Sequence, residues 1–268
     1  MCQRKFYILP LGLKMKVVGL VSGGKDSIYN LMKCVENKHE IVCLANLYPP
    51  TSGNHEIDSH MFQSVGAEAI QYIGEAMNSI PLFRKVITGK PVSKELEYEP
   101  NDQDEVEDLY LLMQAVVTHY PDIEAISVGA IKSTYQKNRV ENVCKRMGLK
   151  MLAYLWDRDQ TELLDDMIQD GVEAIIIKVA ACGLTTKFLG QTLKESRDQL
   201  LQLKQKFDIN VCGEGGEYET FVIDCPLFKK RININTCEAV LHTPPDETVS
   251  YLVLHTLECI PKGEPETS

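Results

Sequence analysis

A short stretch of glycine, hydroxyl and charged residues carries the most readable chemistry in the sequence. It follows a valine-rich apolar run and reads Ser22-Gly23-Gly24-Lys25-Asp26-Ser27. Glycine lets the backbone turn without a Cβ clash, so consecutive N–H groups can surround an anion. A helix predicted to begin here adds about half a positive charge at its N-terminus. The two serines can donate hydrogen bonds and Lys25 adds a full charge, so the stretch predicts a phosphate site.

Two nucleotide motifs compete for these residues. Gly19 to Lys25 fits the G-x-x-x-x-G-K spacing of the Walker P-loop, but Asp26 stands where that loop needs Ser or Thr for magnesium, and Gly19 falls inside the strand. S-G-G-x-D-S after a strand instead resembles the pyrophosphate-binding loop of N-type ATP pyrophosphatases. That resemblance implies that ATP is cleaved between its α- and β-phosphates. The alternative is a glycine-rich helix start that Ser22 or Asp26 merely caps.

Further segments resemble the diphthine–ammonia ligases, a branch of that superfamily. They are Gly129-Ala130-Ile131 with Ser133, Tyr135-Gln136 and Arg139-Val140-Glu141, then Ala153-Tyr154-Leu155-Trp156, Ile177-Lys178-Val179-Ala180-Ala181, and Gly213-Glu214-Gly215-Gly216-Glu217-Tyr218-Glu219-Thr220-Phe221 with Asp224-Cys225-Pro226-Leu227. The resemblance covers about Met15 to Leu257. It implies ATP-dependent amidation of the diphthine carboxylate on elongation factor 2 with ammonium, through an acyl-adenylate, with release of AMP and pyrophosphate.

The resemblance also implies roles for single residues. Gly129 and Tyr135 belong to a second nucleotide-facing segment. Lys25 would help to neutralise the pyrophosphate, and Asp26 is a candidate ligand of Mg²⁺, which prefers a few carboxylates together with phosphate oxygens. Arg139 could reach the α-phosphate with two hydrogen bonds, or could instead form a salt bridge with Glu141 on an exposed helix.

Three carboxylates fall within six residues of the glycine-rich segment, at Glu214, Glu217 and Glu219. In an extended chain the last two would point to one face. With the ring of Tyr218 they could bind the trimethylammonium group of diphthine, and one of them, Glu217 in our prediction, could deprotonate ammonium if neighbouring charge raised its pKa. The competing interpretation is a tight Gly-Gly turn with solvated acids.

Alternating apolar runs and helical periodicities predict the elements that position these residues. Strands are expected at Lys16–Val21, Ile41–Leu47, Leu82–Ile87, Ile123–Val128 and Met151–Leu155, and helices at Asp26–Glu36, Asp58–Met77, Glu105–His119 and Ser133–Met147. Strands that alternate with helices form parallel sheets with right-handed crossovers, which bind ligands at the carboxyl ends of the strands. The predicted fold class is therefore α/β, with a doubly wound parallel five-stranded sheet that resembles the HUP, or adenine nucleotide alpha hydrolase, fold.

The pattern changes in the second half, which predicts a smaller mixed α/β domain. Helices are expected at Thr161–Gln169 and Leu193–Phe207, and strands at Glu173–Ala181, Ile209–Cys212, Phe221–Ile223, Arg231–Ile234, Ala239–His242 and Ser250–Leu257. The predicted division is an ATP pyrophosphatase domain at 15–156 and a substrate-binding domain at 157–258. Residues 1–14 are expected to be an extension outside the fold, and 259–268 a flexible tail.

The connection Thr88–Gln103 is charged and holds Pro91 and Pro100, so it is predicted to be a mobile loop. The acid run Asp104–Asp108 that follows suits the N-terminus of a helix, although a role facing a protein partner is an alternative. Asp58 and Ser59 could cap a helix or line the nucleotide or substrate side of the site.

Composition limits the class of protein. The net charge is −10 and the pI about 5.2, which disfavours binding to phosphate backbones, so a nucleic-acid partner is not expected. Nine scattered cysteines without C-x-x-C predict a reduced, cytoplasmic protein. No apolar run approaches the ~20 residues of a membrane span. A homo-oligomer stays open.

Two rival functions remain at this stage. A tRNA-modifying or thiolating ATP pyrophosphatase would use the same loop, with Cys144, Cys182, Cys212 and Cys225 meeting in space. A nucleotide-sensing module would bind ATP without releasing pyrophosphate. Because no glutaminase-sized segment precedes the phosphate loop, free ammonium is the expected nitrogen donor for the ligase.

Overall fold

The computed structural model describes residues 14–50, 61–63, 65–93, 95–241 and 249–263. Its first half contains a five-stranded parallel sheet in the order β3-β2-β1-β4-β5. The strands are β1 (Lys16–Leu20), β2 (Glu40–Tyr48), β3 (Leu82–Val86), β4 (Ala125–Ser127) and β5 (Lys150–Leu152). The strand order reverses between β1 and β4, and a crevice opens at the carboxyl ends of strands at such a point.

Helices cover both faces of this sheet, as the alternating pattern predicts. They are α1 (Lys25–Glu36), α2 (Ile70–Ala76), α3 (Glu105–His119) and α4 (Thr134–Met147). In β2, Leu44 packs with α1 and α2, whereas Cys43 and Ala45 pack with α3 and α4. Successive strand residues point to opposite faces, so the continuous apolar run of β2 supplies both cores. The doubly wound α/β prediction is confirmed.

A second, antiparallel sheet occupies the later part of the chain, in the order β7-β6-β9-β8. Its elements are α5 (Gln160–Gln169), β6 (Glu173–Val179), α6 (Leu193–Phe207), β7 (Tyr218–Asp224), β8 (Lys230–Leu241) and β9 (Ser250–Pro261). Local sequence sets the helix starts: the Asp159 side chain caps α5, and Thr192 and Glu195 form a capping box at α6.

The two sheets share one hydrophobic core. Ile28 of α1 and Ile70 of α2 belong to the same buried cluster as Ile175 of β6, Phe221 of β7 and Leu254 of β9. The change from one sheet to the other falls between β5 and β6. Because the core continues across that change, folding of the phosphate-loop face depends on the second sheet.

Several local predictions were wrong, and one of them is the start of the flexible tail at 259, because β9 continues to Pro261. The region expected as the helix Asp58–Met77 contains, among its described residues, a 3-10 turn at Ala67–Ala69 and then only the seven residues of α2. Residues Ile209–Cys212 lie in a turn instead of a strand. The two short strands predicted between Arg231 and His242 are one strand, β8, which is broken only by irregular register near Thr236.

The predicted extension 1–14 lies almost wholly outside the described residues, as do Asp58 and Ser59. None of the helices that the structure describes has both the length and the apolar character of a membrane crossing.

The described residues of the connection 88–103 are held by hydrogen bonds, contrary to the mobile loop that its composition predicts. Arg139 of α4 is completely buried, and its guanidinium donates to the carbonyls of Ser93, at 2.7 Å, and Glu95, at 3.1 Å. It lies 3.3 Å from the centroid of the Tyr135 ring. From the other side, Asp104 accepts the N–H groups of Val92 and Ser93. Composition could not reveal these acceptors, because they are backbone carbonyls.

We expect Arg139→Met to lower the free energy of unfolding by about 2–4 kcal/mol, because it leaves partly buried carbonyls without the charged donor that binds them. Urea denaturation measures the loss, and hydrogen exchange of amides 90–100 should quicken in the native state. Arg197→Met is the matched control. Arg197 is about one-third exposed and pairs with Asp165, so its removal should cost less than about 1 kcal/mol. Equal losses of unfolding free energy in the two variants would contradict a stabilising role for the bonds from Arg139 to the carbonyls of Ser93 and Glu95.

Candidate nucleotide site

The phosphate loop lies between β1 and α1, and its amides face hydroxyl groups. Gly24 N–H donates to Ser22 Oγ and Ser22 N–H to Ser27 Oγ, both at 3.3 Å. Gly23 has a φ of +84°, which favours glycine. The N-cap position of α1, Gly24, supplies no side-chain cap. Hydroxyl groups can rotate away from an incoming anion, so these contacts leave a nest suited to phosphate oxygens.

Strand β7 of the second sheet closes one side of this loop. Lys25 N–H donates to Thr220 Oγ1 at 3.1 Å, and Val222 N–H donates to the carbonyl of Gly23 at 2.8 Å. A Cβ on Gly23 would lie 2.7 Å from Ile70 Cδ1 and 3.0 Å from Phe221 Cδ2. The loop is therefore wedged between α2 and β7, and its path is fixed by residues nearly two hundred positions away.

A cavity of about 440 Å³ opens at the carboxyl ends of β1, β2 and β4, within the size range of small-molecule sites. Its polar side contains Ser22, Asp26, Ser27 and Gly129 from the first half and Glu214 and Glu219 from the second. Its apolar side contains Leu20, Ala45, Leu47, Leu109, Val128 and Val140. A polar corner beside an apolar wall suits a ligand with a charged part and a flat apolar part.

The Lys25 ammonium is buried and already has partners. It donates to Asp26 Oδ2 at 2.8 Å and to the carbonyl of Cys212, and it lies 5.1 Å from the centroid of the Tyr218 ring. Burial is the largest single influence and would lower the pKa of Lys25, but the Asp26 carboxylate together with Tyr218 and Cys212 raises that pKa above its ordinary value. Lys25 therefore stays charged and ties the phosphate loop to the turn at Cys212.

Asp26 has one oxygen in use and one unsatisfied. Oδ2 accepts from Lys25, whereas Oδ1 is buried in the cavity wall without a hydrogen-bond partner among the described residues. Burial raises the pKa of Asp26, although Lys25 opposes that shift. A hard cation would satisfy Oδ1, and Mg²⁺ suits a site with one carboxylate if phosphate and water oxygens complete its shell. Within the described ranges no group of three His, Cys, Asp or Glu side chains could hold a metal ion.

The three clustered acids have separate partners. Glu214 accepts the N–H groups of Ile131, Lys132 and Ser133 at 2.8–3.0 Å, just before α4. Glu217 accepts the N–H groups of Asn210 and Gly215 at 2.9 and 2.8 Å. Glu219 lies in the cavity wall, 3.1 Å from the Lys178 ammonium.

Two of these acids therefore organise backbone instead of a shared cation site. Glu217 braces the turn at 210–217 and does not line the cavity. Tyr218 is almost completely buried, and its hydroxyl donates to the carbonyl of Val211 at 2.6 Å. The segment forms the Gly-Gly turn of the second interpretation. Its acids Glu214 and Glu217 are not simply solvated, however, because they accept backbone N–H groups. Glu219 is the acid of the three whose position suits direct contact with a substrate.

Other predicted residues divide between the cavity and the surrounding frame. Gly129 lines the cavity, and a Cβ there would lie 2.5 Å from the backbone carbon of Asp26. Arg139 and Tyr135 do not line it: both bind the segment 88–103, with the Tyr135 hydroxyl donating to Ser93 O. The contacts of Arg139 with carbonyls differ from both sequence interpretations, a phosphate contact and a surface salt bridge with Glu141.

Sequence reasoning gave no site role to several residues of the cavity wall, among them the polar Asn46, Gln63 and Thr220. Gln63 donates to the carbonyls of Val65 and Thr220 at 3.0 and 3.1 Å, and so joins the segment before α2 to β7. Asn46 was detectable, because it is a polar residue inside an apolar strand. It donates to Val21 O at 2.9 Å. Gln63 gave no local signal.

The sequence matches two family models over most of its length. Residues 15–151 match the diphthamide synthase N-terminal domain, and residues 159–247 match the diphthamide synthase C-terminal domain.

Curated relatives agree with the family models. The diphthine–ammonia ligase of Schizosaccharomyces pombe is 54% identical over 252 residues, which are 94% of this chain but 40% of the relative. The diphthine–ammonia ligases of Rattus norvegicus and Homo sapiens are 53% and 49% identical. These alignments cover 85% and 90% of this chain, and 86% and 92% of the two relatives. The chain therefore spans less than half of the yeast relative and most of each mammalian one. A solved structure of a U34-tRNA thiolase from Methanococcus maripaludis aligns over 76% of the chain and 70% of its own, at 14% identity, with a TM-score of 0.33 that carries no weight.

We expect Gly129→Ala to abolish nucleotide binding, because its methyl group would meet backbone atoms of Asp26 and Ser27 and displace the start of α1. Isothermal titration with ATP measures the effect. Gly263→Ala is the control, since a Cβ there meets nothing within 4 Å, and it should bind ATP as the wild type does. Normal affinity in Gly129→Ala would show that the close approach of these backbones is not required.

We expect Glu214→Gln to lower the free energy of unfolding by about 1–3 kcal/mol, because an amide group would face backbone N–H donors at one of the two oxygen positions. Chemical denaturation measures the change. Glu162→Gln, on the partly exposed first turn of α5, should change stability by less than about 0.5 kcal/mol. A neutral effect of Glu214→Gln would mean that the contact with residues 131–133 does not hold the turn in solution.

Proposed function

Since the chain belongs to the diphthamide synthase family, we propose that it is an ATP-dependent ligase that amidates the carboxylate of diphthine on elongation factor 2. Ammonium supplies the nitrogen, and AMP and pyrophosphate are the other products. The observation that carries the proposal is the phosphate loop Ser22–Ser27, which opens with Asp26 into a cavity at the switch point of the sheet. A member of this family needs ATP held by its outer phosphates at such a place.

The reaction has to solve the inertness of a carboxylate. The group is anionic, which repels nucleophiles, and its oxygen is a poor leaving group. Transfer of AMP to the carboxylate removes both obstacles, and ammonia then displaces AMP to form the amide. Such a transfer needs positioning and charge stabilisation more than covalent participation by the protein.

The residues of this chain supply those two requirements. The amides of Ser22 and Gly24 and the N-terminus of α1 would hold the pyrophosphate portion of ATP. Asp26 Oδ1 would bind Mg²⁺, which neutralises phosphate charge when bound. The apolar wall formed by Leu20, Leu47 and Val128 would accept the flat base. Glu219 and Gly215 line the same cavity.

The acids divide into supports and a substrate contact. Glu214 and Glu217 hold the turn at 210–217 through backbone amides, so their proposed role is positioning. Glu219, beside Lys178, is the candidate for recognition of the cationic part of diphthine, a quaternary ammonium that a carboxylate attracts. The contacts of Arg139 favour a structural role over a bond with the α-phosphate.

The rival thiolase reading finds no support in the described residues. Their cysteines are free thiols, and no metal-binding group of three ligating side chains occurs among them. Burial raises the pKa of Cys144 and Cys212 to about 12, so neither is a ready nucleophile near neutral pH. The acidic net charge also opposes tRNA binding. A substrate that takes part in translation is expected to meet the chain in the cytoplasm.

We expect the wild type, supplied with ATP, Mg²⁺ and ammonium, to convert diphthine on elongation factor 2 to the amide and to release AMP with pyrophosphate. Mass spectrometry of the modified peptide and chromatography of nucleotides measure both products. Asp26→Asn should lower pyrophosphate release by more than about a hundredfold, as expected for loss of a charge that stabilises the transition state, with an unchanged circular dichroism spectrum. Asp198→Asn, on an exposed part of α6, should turn over normally. ADP as the nucleotide product would refute the mechanism.

A further inference from the structure

The buried guanidinium of Arg139 holds the described residues of the segment 88–103. Burial of a charge costs free energy, so this is an unusual way to fix a surface loop. Burial of a guanidinium carries a desolvation cost that only well-placed acceptors offset. Arg139 finds its acceptors in the backbone of this segment, and two neighbours on α4 repeat the pattern. Asn138 donates to Leu96 O at 2.9 Å, and Asn142 donates to Tyr98 O at 3.2 Å. Because all these bonds are to carbonyls, they fix the path of the segment and leave most of its side chains outside.

From residue 95 onward the charged outward side chains of the segment are all acidic. Glu95, Glu97, Glu99 and Asp102 are exposed, and residues 95–103 contain no Lys or Arg. Among them Leu96 is 60% exposed, and it ranks with the most exposed large apolar residues of the described chain. An exposed leucine alone is ordinary, but here it lies on backbone that the side chains of Arg139, Asn138 and Asn142 hold in place.

This surface lies beside the mouth of the cavity. The segment follows β3 at its carboxyl end, which is the edge of the sheet where the cavity opens. Val140, next to Arg139 on α4, lines the cavity, and so does Leu109 of α3. Tyr98 of the segment packs in the same apolar cluster as both of them. A macromolecule that delivers a side chain into the cavity would therefore pass close to Leu96.

We propose that residues 95–103 form a docking surface for a positively charged face of the protein that carries the substrate carboxylate, with Leu96 entering an apolar depression between basic residues. The proposal rests on the function proposed above, because it requires a protein substrate. A segment that is already ordered loses little conformational freedom on binding. Its carboxylates attract basic protein surfaces and speed association, and they repel the phosphates of a nucleic acid.

The test is direct binding of the full chain to purified elongation factor 2 that carries diphthine, measured by fluorescence anisotropy at two salt concentrations. Leu96→Ser and the double variant Glu95→Lys/Glu97→Lys should each weaken binding about tenfold, the loss typical of a central interface residue. Their matched controls are Leu241→Ser, whose leucine is 61% exposed, and Glu238→Lys on the edge strand β8, whose side chain is 71% exposed. Both controls should bind as the wild type does. Wild-type binding should weaken with salt, and that dependence should shrink in the double variant.

The outcomes separate this proposal from the proposed function. In both surface variants the KM for the factor should rise while the KM for ATP and the kcat stay near wild type. Amidation by the wild type with unchanged affinity in both variants would overturn the docking surface alone. Binding that the variants weaken, without any amidation by the wild type, would support the surface and reject the ligase. No binding to the factor, or tighter binding to tRNA, would overturn the surface.

Discussion

The structure depends on the contact between the phosphate loop and β7. Two backbone groups of the loop, Lys25 N–H and Gly23 C=O, bond to Thr220 Oγ1 and Val222 N–H of a strand in the other sheet. The loop is thus shaped by its own glycines and by a distant edge strand together. Gly23 has room for neither a side chain nor another path, because Ile70 and Phe221 flank it. The anion nest is complete only when both sheets have folded onto their shared core.

Most charged residues that the sequence predicts to take part in chemistry instead hold this arrangement together. Lys25 reaches across to Cys212 O, and Glu214 reaches back to the amides that precede α4. These two contacts run in opposite directions between the phosphate-loop half and the turn at 210–217. Glu214 accepts the three backbone N–H groups just before α4, whereas the N-terminus of α1 faces the cavity without a side-chain cap. Two of the acids that predict a cation site from the sequence, Glu214 and Glu217, therefore hold backbone in place.

Sequence alone was enough for the fold class because the signals that specify it are local and periodic. The five parallel strands and helices such as Glu105–His119 follow from apolar spacing, and the phosphate loop follows from glycines placed between a strand and a helix. The site was only partly predictable, because a sequence shows which side chains can donate hydrogen bonds but does not show which groups accept them. Arg139 was expected on phosphate and is bound to carbonyls, which every residue carries and no pattern marks. Gln63 bridges two distant segments by the same kind of bond, and the order of the segment 88–103 was hidden for the same reason.

Helix α4 shows how the site and its surroundings are kept in register. Gln136 and Val140, four residues apart and hence on one face, line the cavity. Arg139 and Asn142, three apart on another face, hold the backbone of 88–103. The backbone just before the helix, at residues 131–133, binds Glu214 and so fixes the turn opposite the phosphate loop. One rigid element therefore sets the distances among the cavity wall, the acidic surface segment and the turn at 210–217, which leads into Glu219 of β7. A side chain delivered by a docked protein would reach a position relative to ATP that the length and pitch of a single helix determine, which is the geometric condition for joining a bulky protein substrate to a nucleotide bound beneath it.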